Sequence, residues 1–282
     1  MNLRRLPALP LALVPSARLR IALTYVWRHG RLPDLRNPLR FTELVQRRKL
    51  DDRNPALPVL SDKIAAKAYV RRVLGEDWII PTLWSGTDLP AQPQWPYPFI
   101  LKSSHGCNQN VICRTPADWR EARRRAARWV RRPYGLWLDE WAYRRIPRGY
   151  IAEPFLGDAD GRAPVDYKIY VFGGKAAYVQ VHQDRFSDHR WVLYDRRWSQ
   201  VSMFTEPASR PPSSLEEMLD GAERLAQSFD FARVDFYEIE GRPKFGEVTF
   251  YPGSGLDPFD PLELDRIIGQ RWLAAKAQMA AD

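Results

Sequence analysis

Pairs of strands joined by tight glycine turns constrain the fold of this chain more than any other feature. The first pair is DYKIYVFGGKAAYVQVH, residues 166–182, in which two strand-like runs meet at a GGK turn. The second pair is formed by ARVDFYEIE and PKFGEVTFY, which meet at Gly241. Strands joined by so short a turn are antiparallel neighbours. Because predicted helices lie between the hairpins, the sequence indicates an α+β fold with antiparallel sheets.

Two of the predicted helices have clear boundaries or faces. One is SDKIAAKAYVRRVLG, with Ser61 or Asp62 as the expected N-cap and Gly75 as the stop. The other spans residues 117–132 and places tryptophans on one side and seven arginines on the other. That pattern predicts a core-facing stripe below a face that is either simply solvated or suited to bind a polyanion.

A further helix and a further hairpin complete the pattern. Residues 213–229 predict a helix that opens with a capping box of Ser214 and Glu217. The runs FILKSS and NVICR predict two strands around the small polar loop SSHGCNQN, residues 103–110. After the first 58 residues the predicted strands therefore occur mostly as hairpins, with helices between them.

Net charge indicates the kind of partner this protein binds, and cysteine content indicates its cellular compartment. The net charge of +9 and the pI near 9.7 favour anionic partners: nucleotides, acidic polysaccharide, nucleic acid or an anionic membrane face. Cys107 and Cys113 form no CxxC pair, so reduced thiols and a cytoplasmic location are expected. No apolar run is long enough to span a membrane, which leaves peripheral contact at the inner membrane face.

The last predicted hairpin carries acidic and basic side chains on one face of each strand. Arg233 and Asp235 share one face of their strand, and Glu247 and Thr249 share one face of the next, together with Phe245. Two carboxylates and a hydroxyl beside a guanidinium suit a hard cation, and Mg²⁺ with nucleotide phosphates would offset the repulsion between the acids. A hairpin with solvent-facing acids remains the alternative.

Lysine is rare enough in this chain to be informative. Of the 43 basic residues eight are lysines; Lys63 follows the expected N-cap, Lys102 ends the strand PFILK, and Lys168 lies within DYKIYVF. An ammonium among strand residues is costly unless it meets an anion such as phosphate. Surface lysines that lay their stems on the sheet are the alternative. The segment EPFL, from Glu153, could offer backbone groups and apolar walls to a flat ring.

The order of these segments resembles the ATP-grasp superfamily. The resemblance rests on DK, FILK with its polar loop, EPFL, DYKIYVF, RVDFY and GEVTFYPGSG. The segments FTELVQRRKLDDRNP, LSDK, ILKSSHG, DYKIYVFGGK and DRFSDHRW, with FGEVTFYPGSG, are similar to the TupA-like branch, named for teichuronopeptide biosynthesis. The match covers roughly residues 20–270.

The resemblance implies a division of the chain and a place for the nucleotide. Residues 1–58 would form an N-terminal helical, proline-rich cap, and residues 59–275 an ATP-grasp catalytic region with lobes at about 95–150 and 151–270. ATP would lie between the two antiparallel-sheet lobes.

Five residues would hold the nucleotide in that arrangement. The resemblance implies that Lys63 and Lys102 bind the phosphates of ATP, and that Glu153 and the backbone near Phe155 bind adenine. Asp166 would contact the ribose.

A second group of residues would act at the transferring phosphoryl group. Lys168 would approach the phosphates from the opposite sheet, Asp235 and Glu247 would ligate Mg²⁺, and Arg233 would steady the phosphoryl group. The third metal position, commonly Asn in the superfamily, is Thr249 here, which leaves the number of Mg²⁺ ions open.

The acceptor site is the least defined part of the resemblance. Arg185 and His189 in DRFSDHRW could receive an anionic acceptor, and Ser254 with the PGSG glycines would shape its pocket. The phosphate-covering loop has a single glycine, so the side chains of His105 and Asn108 could take over part of its role.

The resemblance implies an ATP- and Mg²⁺-dependent ligase that joins a carboxylate to an amine or amino acid through an acyl phosphate. Its name points to uronic acid carboxylates in surface polysaccharide, and Trp119 and Trp129 beside the arginines would suit an acidic glycan. One alternative is a kinase on the same core that phosphorylates a sugar hydroxyl. The other is a non-enzymatic, basic polyanion-binding module. Nucleic acid is not the expected partner, and the sequence leaves the oligomeric state open.

Overall fold

Two antiparallel sheets form the framework of the protein in this computed structural model, which describes residues 13–157, 162–183, 190–202 and 210–281. The smaller sheet has the strand order β1-β4-β2-β3. Its strands are β1 (Trp84–Gly86), β2 (Phe99–Ser103), β3 (Asn110–Cys113) and β4 (Tyr150–Pro154).

The larger sheet has five strands in the order β7-β6-β5-β8-β9. Both predicted hairpins are confirmed, because Gly173 and Gly174 join β5 to β6, and Glu240 and Gly241 join β8 to β9, all four with positive φ. Two consecutive residues with positive φ match the twist of paired strands. The strands are β5 (Asp166–Phe172), β6 (Lys175–Gln183), β7 (Arg190–Asp195), β8 (Phe231–Ile239) and β9 (Arg242–Thr249).

Helices of the described residues surround these sheets and connect them. Short 3-10 turns also occur at Glu76–Trp78 and Pro252–Gly255. The α-helices are α1 (Ala17–His29), α2 (Phe41–Asp51), α3 (Ala56–Ser61), α4 (Ala65–Leu74), α5 (Pro116–Ala126), α6 (Trp141–Arg144), α7 (Leu215–Ala226) and α8 (Glu263–Ala281).

The start of α4 differs from its prediction. Ser61 ends α3 and therefore does not cap α4. The Asp62 carboxylate accepts the backbone N–H of Ile64 at 2.9 Å, just ahead of the helix. Lys63 thus precedes α4 instead of lying in its first turn, whereas the predicted stop at Gly75 is confirmed.

The other two predicted helices also need correction at their ends. Helix α5 ends at Ala126, well short of residue 132. The predicted capping box of Ser214 and Glu217 is wrong, because Ser214 donates its hydroxyl to the Glu238 carboxylate at 2.7 Å instead of capping α7. A carboxylate from a distant strand has replaced the local backbone N–H as the partner of this hydroxyl.

The core of the larger sheet receives helices from distant parts of the chain. Met218, Leu219 and Ala222 of α7 are fully buried. Phe41 of α2 packs edge-on against Phe231 at 5.0 Å between ring centroids. Helix α2 of the predicted cap therefore contributes Phe41, Leu44 and Val45 to this core, while the predicted boundary at residue 58 stays a prediction.

The smaller sheet has a core of its own, built around Trp119. This indole is fully buried against Phe99, and Trp129 is nearly so. The prediction that Trp119 and Trp129 contact a glycan is wrong, because the burial of an aromatic side chain is a strong contribution to the core and leaves no ring face for a sugar. The arginines of α5 remain on the outside.

Candidate active site

A cavity lies between the two sheets and collects most of the predicted site residues. It contains about 920 Å³ of space unfilled by atoms, part of it open to solvent. Its polar lining comes from both sheets and from the loop between β2 and β3. The predicted residues among its lining are Lys63, Lys102, Glu153, Phe155, Asp166, Asp235 and Glu247.

Strand register explains how the larger sheet presents its charges. Lys168, Asp235 and Glu247 lie directly opposite one another on β5, β8 and β9. The next row brings Arg233 of β8 opposite Thr249 of β9. Since side chains two residues apart along a strand share a face, both rows lie on one face of the sheet.

A β-bulge at Gly246 modifies this arrangement. Asp235 faces Glu247, but the following residue Phe236 faces Phe245, so one extra residue is inserted on β9. The prediction that Phe245 shares a face with Glu247 and Thr249 is therefore wrong, because a bulge reverses the alternation beyond it. Phe245 is buried in the core, and Gly246 lines the cavity.

Asp235 is the centre of a buried ionic network. Arg233 donates two hydrogen bonds to its carboxylate, both at 2.7 Å, and Lys168 donates one at 2.5 Å. Lys168 also contacts Asp166 at 2.6 Å. Burial raises the pKa of Asp235, and the Arg233 and Lys168 cations oppose that rise.

Glu247 and Thr249 lie at the more open edge of that network. Arg233 donates to Glu247 at 3.4 Å and to Thr249 at 3.3 Å. Thr249 donates its hydroxyl to Glu247 at 3.1 Å. The Glu247 side chain is 26% exposed and that of Asp235 2%, so Glu247 is the carboxylate more accessible to an incoming ligand.

Glu153 forms a second ionic cluster on the smaller sheet. Lys102 donates to it at 2.6 Å, and Lys67 of α4 forms a salt bridge with its other oxygen. Burial by itself would raise the pKa of Glu153, but Lys102 and Lys67 outweigh burial and lower it. Glu153 is thus a buried anion held between two cations.

Lys67 is the residue that the sequence-based prediction missed. Its ammonium also donates to the Ile80 carbonyl at 2.7 Å and to the Thr82 hydroxyl at 2.9 Å. The rarity of lysine in this arginine-rich chain was a signal that could have identified it. Its position inside a helix offered no indication of an anionic partner, because that partner lies on a strand 86 residues away.

Lys63 reaches the cavity from the segment before α4. Its ammonium donates to the Gly106 carbonyl at 2.6 Å and lies 3.9 Å from the Glu247 carboxylate. Lys63 and Lys102 therefore approach the cavity from the small-sheet side, opposite the acids of β8 and β9.

The polar loop divides its side chains between the cavity and the interior. Asn108 lines the cavity and has a positive φ of 57°. His105 is fully buried, where its ring contacts the Trp129 carbonyl at 3.2 Å and the Gly149 N–H at 3.4 Å. Burial lowers the pKa of His105. The prediction that His105 helps to cover a phosphate is wrong, because both ring nitrogens are used inside the protein.

Apolar side chains from the smaller sheet and from the segments that flank its strands form the remaining wall of the cavity. Arg114 lies over the Phe155 ring, 5.3 Å from its centroid. The Phe155 N–H donates to the Pro98 carbonyl at 3.2 Å, so an adenine contact by backbone would fall to the neighbouring peptide groups. The apolar wall is formed by Ile80, Ile100, Pro154, Phe155, Leu156, Ala163 and Pro164.

The predicted acceptor residues are not part of this described cavity. Arg185 and His189 lie outside the described residues. Ser254 is buried away from the cavity lining, where Lys49 donates to its hydroxyl at 2.7 Å and to its carbonyl at 2.8 Å. The acceptor role of these three residues stays a prediction.

Comparison with protein families decides the classification. The model of the TupA-like ATP-grasp family matches residues 43–273. The chain belongs to the TupA-like ATP-grasp family. Family membership and the two antiparallel sheets confirm the predicted α+β ATP-grasp fold. A comparison with curated proteins finds no match.

Solved structures similar to this TupA-like ATP-grasp protein are distant in sequence. D-alanine-D-alanine ligase from Helicobacter pylori shares 15% identity over 77% of this chain and 58% of its own, with a TM-score of 0.47. VanG D-Ala:D-Ser ligase from Enterococcus faecalis shares 12% identity over 78% of this chain and 62% of its own, with a TM-score of 0.49. L-amino acid ligase from Bacillus licheniformis shares 14% identity over 80% of this chain and 45% of its own, with a TM-score of 0.45. This chain thus covers less than two thirds of each of these proteins.

The acids of this ATP-grasp protein meet the chemical demands of Mg²⁺ only in part. Asp235 and Glu247 provide carboxylate oxygens at adjacent positions, which is the donor type that Mg²⁺ prefers. Within the described ranges, no three His, Cys, Asp or Glu side chains are grouped to hold a metal ion. The donor set therefore fits a metal that also takes ligands from phosphate and water.

Proposed function

We propose that this protein is an ATP- and Mg²⁺-dependent ligase that joins a carboxylate to an amine through an acyl phosphate. The observation that carries this function is that two lysines from the small-sheet side and two carboxylates from the large sheet line the same cavity. Lys63 and Lys102 approach from the small-sheet side, and Asp235 and Glu247 approach from the large sheet. Membership in the TupA-like ATP-grasp family supports the assignment.

The nucleotide would lie along the cavity with its adenine against the apolar wall. Phe155 and its apolar neighbours would bound the flat ring, and Asp166, which lines the same cavity, would meet the ribose. Lys63 and Lys102 would bind phosphate oxygens as point charges. Lys102 would then exchange part of its contact with Glu153 for a phosphate, and Lys67 would keep Glu153 neutralised.

Glu247 and Asp235 would hold Mg²⁺ between the sheet and the phosphates, with Thr249 as a weaker neutral neighbour. The bound ion would neutralise charge on the phosphates during phosphoryl transfer. Arg233, fixed by its two hydrogen bonds to Asp235, would stabilise negative charge on the transferring group. Lys168 would maintain the charge balance of Asp235 from β5.

The reaction would proceed in two steps. A carboxylate oxygen of the acceptor attacks the γ-phosphorus, the bond to the β-γ bridging oxygen breaks, and ADP leaves. The amine then attacks the carbonyl carbon of the acyl phosphate, loses a proton and expels inorganic phosphate to form the amide. Residues of this site contribute chiefly by orienting the reactants and neutralising charge.

The acceptor proposed here is a uronic acid carboxylate of a surface polysaccharide, and the donor of nitrogen is an amine or amino acid. The net charge of +9 supports an acidic acceptor. The resemblance to a branch named for teichuronopeptide biosynthesis supports the glycan. Arg185 and His189 remain the candidates for contacting it.

Titration calorimetry of a non-hydrolysable ATP analogue, with and without Mg²⁺, tests the nucleotide site. Glu247→Gln is the best variant, because this side chain is more exposed than Asp235 and its loss leaves the Arg233–Asp235 pair intact. Glu240→Gln, at the exposed tip of the same hairpin, is the matched control. Mg²⁺-dependent binding should weaken in Glu247→Gln and persist in Glu240→Gln. Equal binding in both variants would refute the metal role of Glu247.

Product analysis then separates a ligase from a kinase. A ligase should release phosphate from ATP with a uronic acid only when an amine is present, and hydroxylamine should trap the acyl phosphate as a hydroxamate. A stable phosphoester formed without any amine would identify a kinase instead. Polyanion binding that ignores both nucleotide and Glu247 would identify a non-enzymatic binding module.

A further inference from the structure

The outward face of α1 is apolar, although this face has no partner within the described residues that would cover it. Leu19, Leu23, Val26 and Trp27 are between 36% and 50% exposed. At 100° per residue these four positions form one stripe. The opposite face, which includes Tyr25, is buried against the protein. A surface helix ordinarily reverses this arrangement and exposes its polar face.

A second apolar element lies beside the first turns of α1. Leu136 and Trp137 are also exposed, at 44% and 39%. They belong to the segment that Arg20 of α1 holds through Asp139, with contacts of 2.5 and 3.0 Å. We call Leu19, Leu23, Val26, Trp27, Leu136 and Trp137 together the α1 patch.

The segments that carry the α1 patch are strongly basic. Neither residues 13–33 nor residues 122–138 contain an Asp or Glu, and together they contain ten arginines. Arg131 and Arg132 are exposed and directly precede the segment with Leu136 and Trp137. Asp139, the next acid, is buried in its salt bridge with Arg20. Arg28 and Arg31 also pair with acids, Asp257 and Asp265, but the exposed charges that these two segments themselves carry are all positive.

We propose that the α1 patch docks on an anionic lipid surface. Exposed leucines and tryptophans would enter the boundary between headgroups and acyl chains, where indole rings are favoured. The surrounding arginines would meet lipid phosphates. Among the described residues, the structure contains no helix with the length and hydrophobicity of a membrane span.

Charge complementarity favours a lipid surface over a second copy of the chain. Two copies facing each other through this patch would bring arginine against arginine, and like charges across an interface oppose association. An anionic bilayer supplies the missing negative charge and the apolar interior at the same place. The α1 patch shares no described residue with the nucleotide cavity, so lipid docking does not depend on the proposed ligase activity.

Vesicle co-sedimentation of the full-length protein tests this docking. The wild type should bind vesicles rich in phosphatidylglycerol, bind pure phosphatidylcholine vesicles much less, and lose affinity as salt rises. Leu19→Ser combined with Leu23→Ser should weaken binding to the anionic vesicles about tenfold, since two partly exposed leucines no longer transfer into lipid. Leu262→Ser, a highly exposed leucine outside the patch, is the matched control and should bind like the wild type.

Three results would overturn the docking. The first is absence of wild-type binding to anionic vesicles. The second is equal binding by the double variant and the wild type. The third is a wild-type dimer in solution that the double variant dissociates, which would assign the patch to a second copy. Titration of the double variant with the ATP analogue verifies that it is folded and keeps a failure of docking distinct from a failure of the nucleotide site.

Discussion

Replacement of Lys67 by Met tests how the site holds its buried glutamate. The Lys67 side chain is 10% exposed, and its ammonium forms three contacts: a salt bridge with Glu153 and hydrogen bonds to the Ile80 carbonyl and the Thr82 hydroxyl. Methionine keeps most of the side-chain volume, so the loss of a cavity-filling group is minor. The variant therefore removes charge and hydrogen bonds with little change in packing.

The expected loss of stability follows from these contacts. Removal of one partner from a buried ion pair costs about 3–5 kcal/mol when the other charge is left alone. Glu153 keeps Lys102 at 2.6 Å, which reduces that cost. We therefore expect Lys67→Met to lower the free energy of unfolding by about 2–3 kcal/mol.

Urea denaturation of the wild type and Lys67→Met measures this change. The midpoint should fall while the m-value stays constant, because the area exposed on unfolding hardly changes. Lys63→Met is the matched control, with the same substitution four residues earlier. Lys63 donates to a backbone carbonyl at the cavity edge, so its loss should cost under about 1 kcal/mol but weaken binding of the ATP analogue.

The pH dependence provides a second readout of the same contact. The lowered pKa of Glu153 means that its ion pairs contribute stability above the unfolded value of about 4.3, and that this contribution is lost as pH falls through the lower folded pKa. The stability difference between the wild type and Lys67→Met should therefore narrow in acid. A difference below about 1 kcal/mol at neutral pH would refute the view that Lys67 neutralises Glu153.

A glycine substitution and a thiol alkylation test two other parts of the fold. Gly255→Ala should lower the free energy of unfolding by about 2–3 kcal/mol, because φ is 63° there and a Cβ would lie 2.6 Å from the Gln46 amide nitrogen. Urea denaturation measures this change, and an unchanged midpoint would contradict the close packing of this loop. Burial raises the pKa of the Cys107 thiol to about 11, so in a Cys113→Ser background it should alkylate at pH 8 about two orders of magnitude more slowly than a free cysteine. Alkylation at the free rate would contradict that burial.

Local rules explain why part of the site could be predicted from sequence. Arg233 and Asp235 share a face because they are two residues apart on a strand, and the short turn at Gly241 brings Glu247 and Thr249 beside them. The same alternation failed at Phe245, because a bulge at Gly246 inserts an extra residue; the isolated glycine within the strand was the local signal for it, and the alternation argument did not use that signal. The ligand roles of these residues stay predictions.

Side chains on helices and loops were harder to place, since their partners depend on packing. The tryptophans of the predicted helix over residues 117–132 could be assigned to one side, but only the packing against Phe99 in the tertiary structure buries Trp119 completely. Ser254 was expected at an acceptor pocket, yet Lys49 of α2 holds it in the interior. Helical periodicity defines a face without saying what covers it.

The sequence by itself determined the antiparallel hairpins, the class of the fold and the grouping of charges along β8 and β9, because these follow from periodicity and turn chemistry over a few residues. Tertiary structure alone decided that Lys67 neutralises Glu153, that Lys63 and Lys102 face Asp235 and Glu247 across one cavity, and that the apolar stripe of α1 faces outward. These outcomes depend on how separate elements pack, and packing joins residues that lie far apart in the chain.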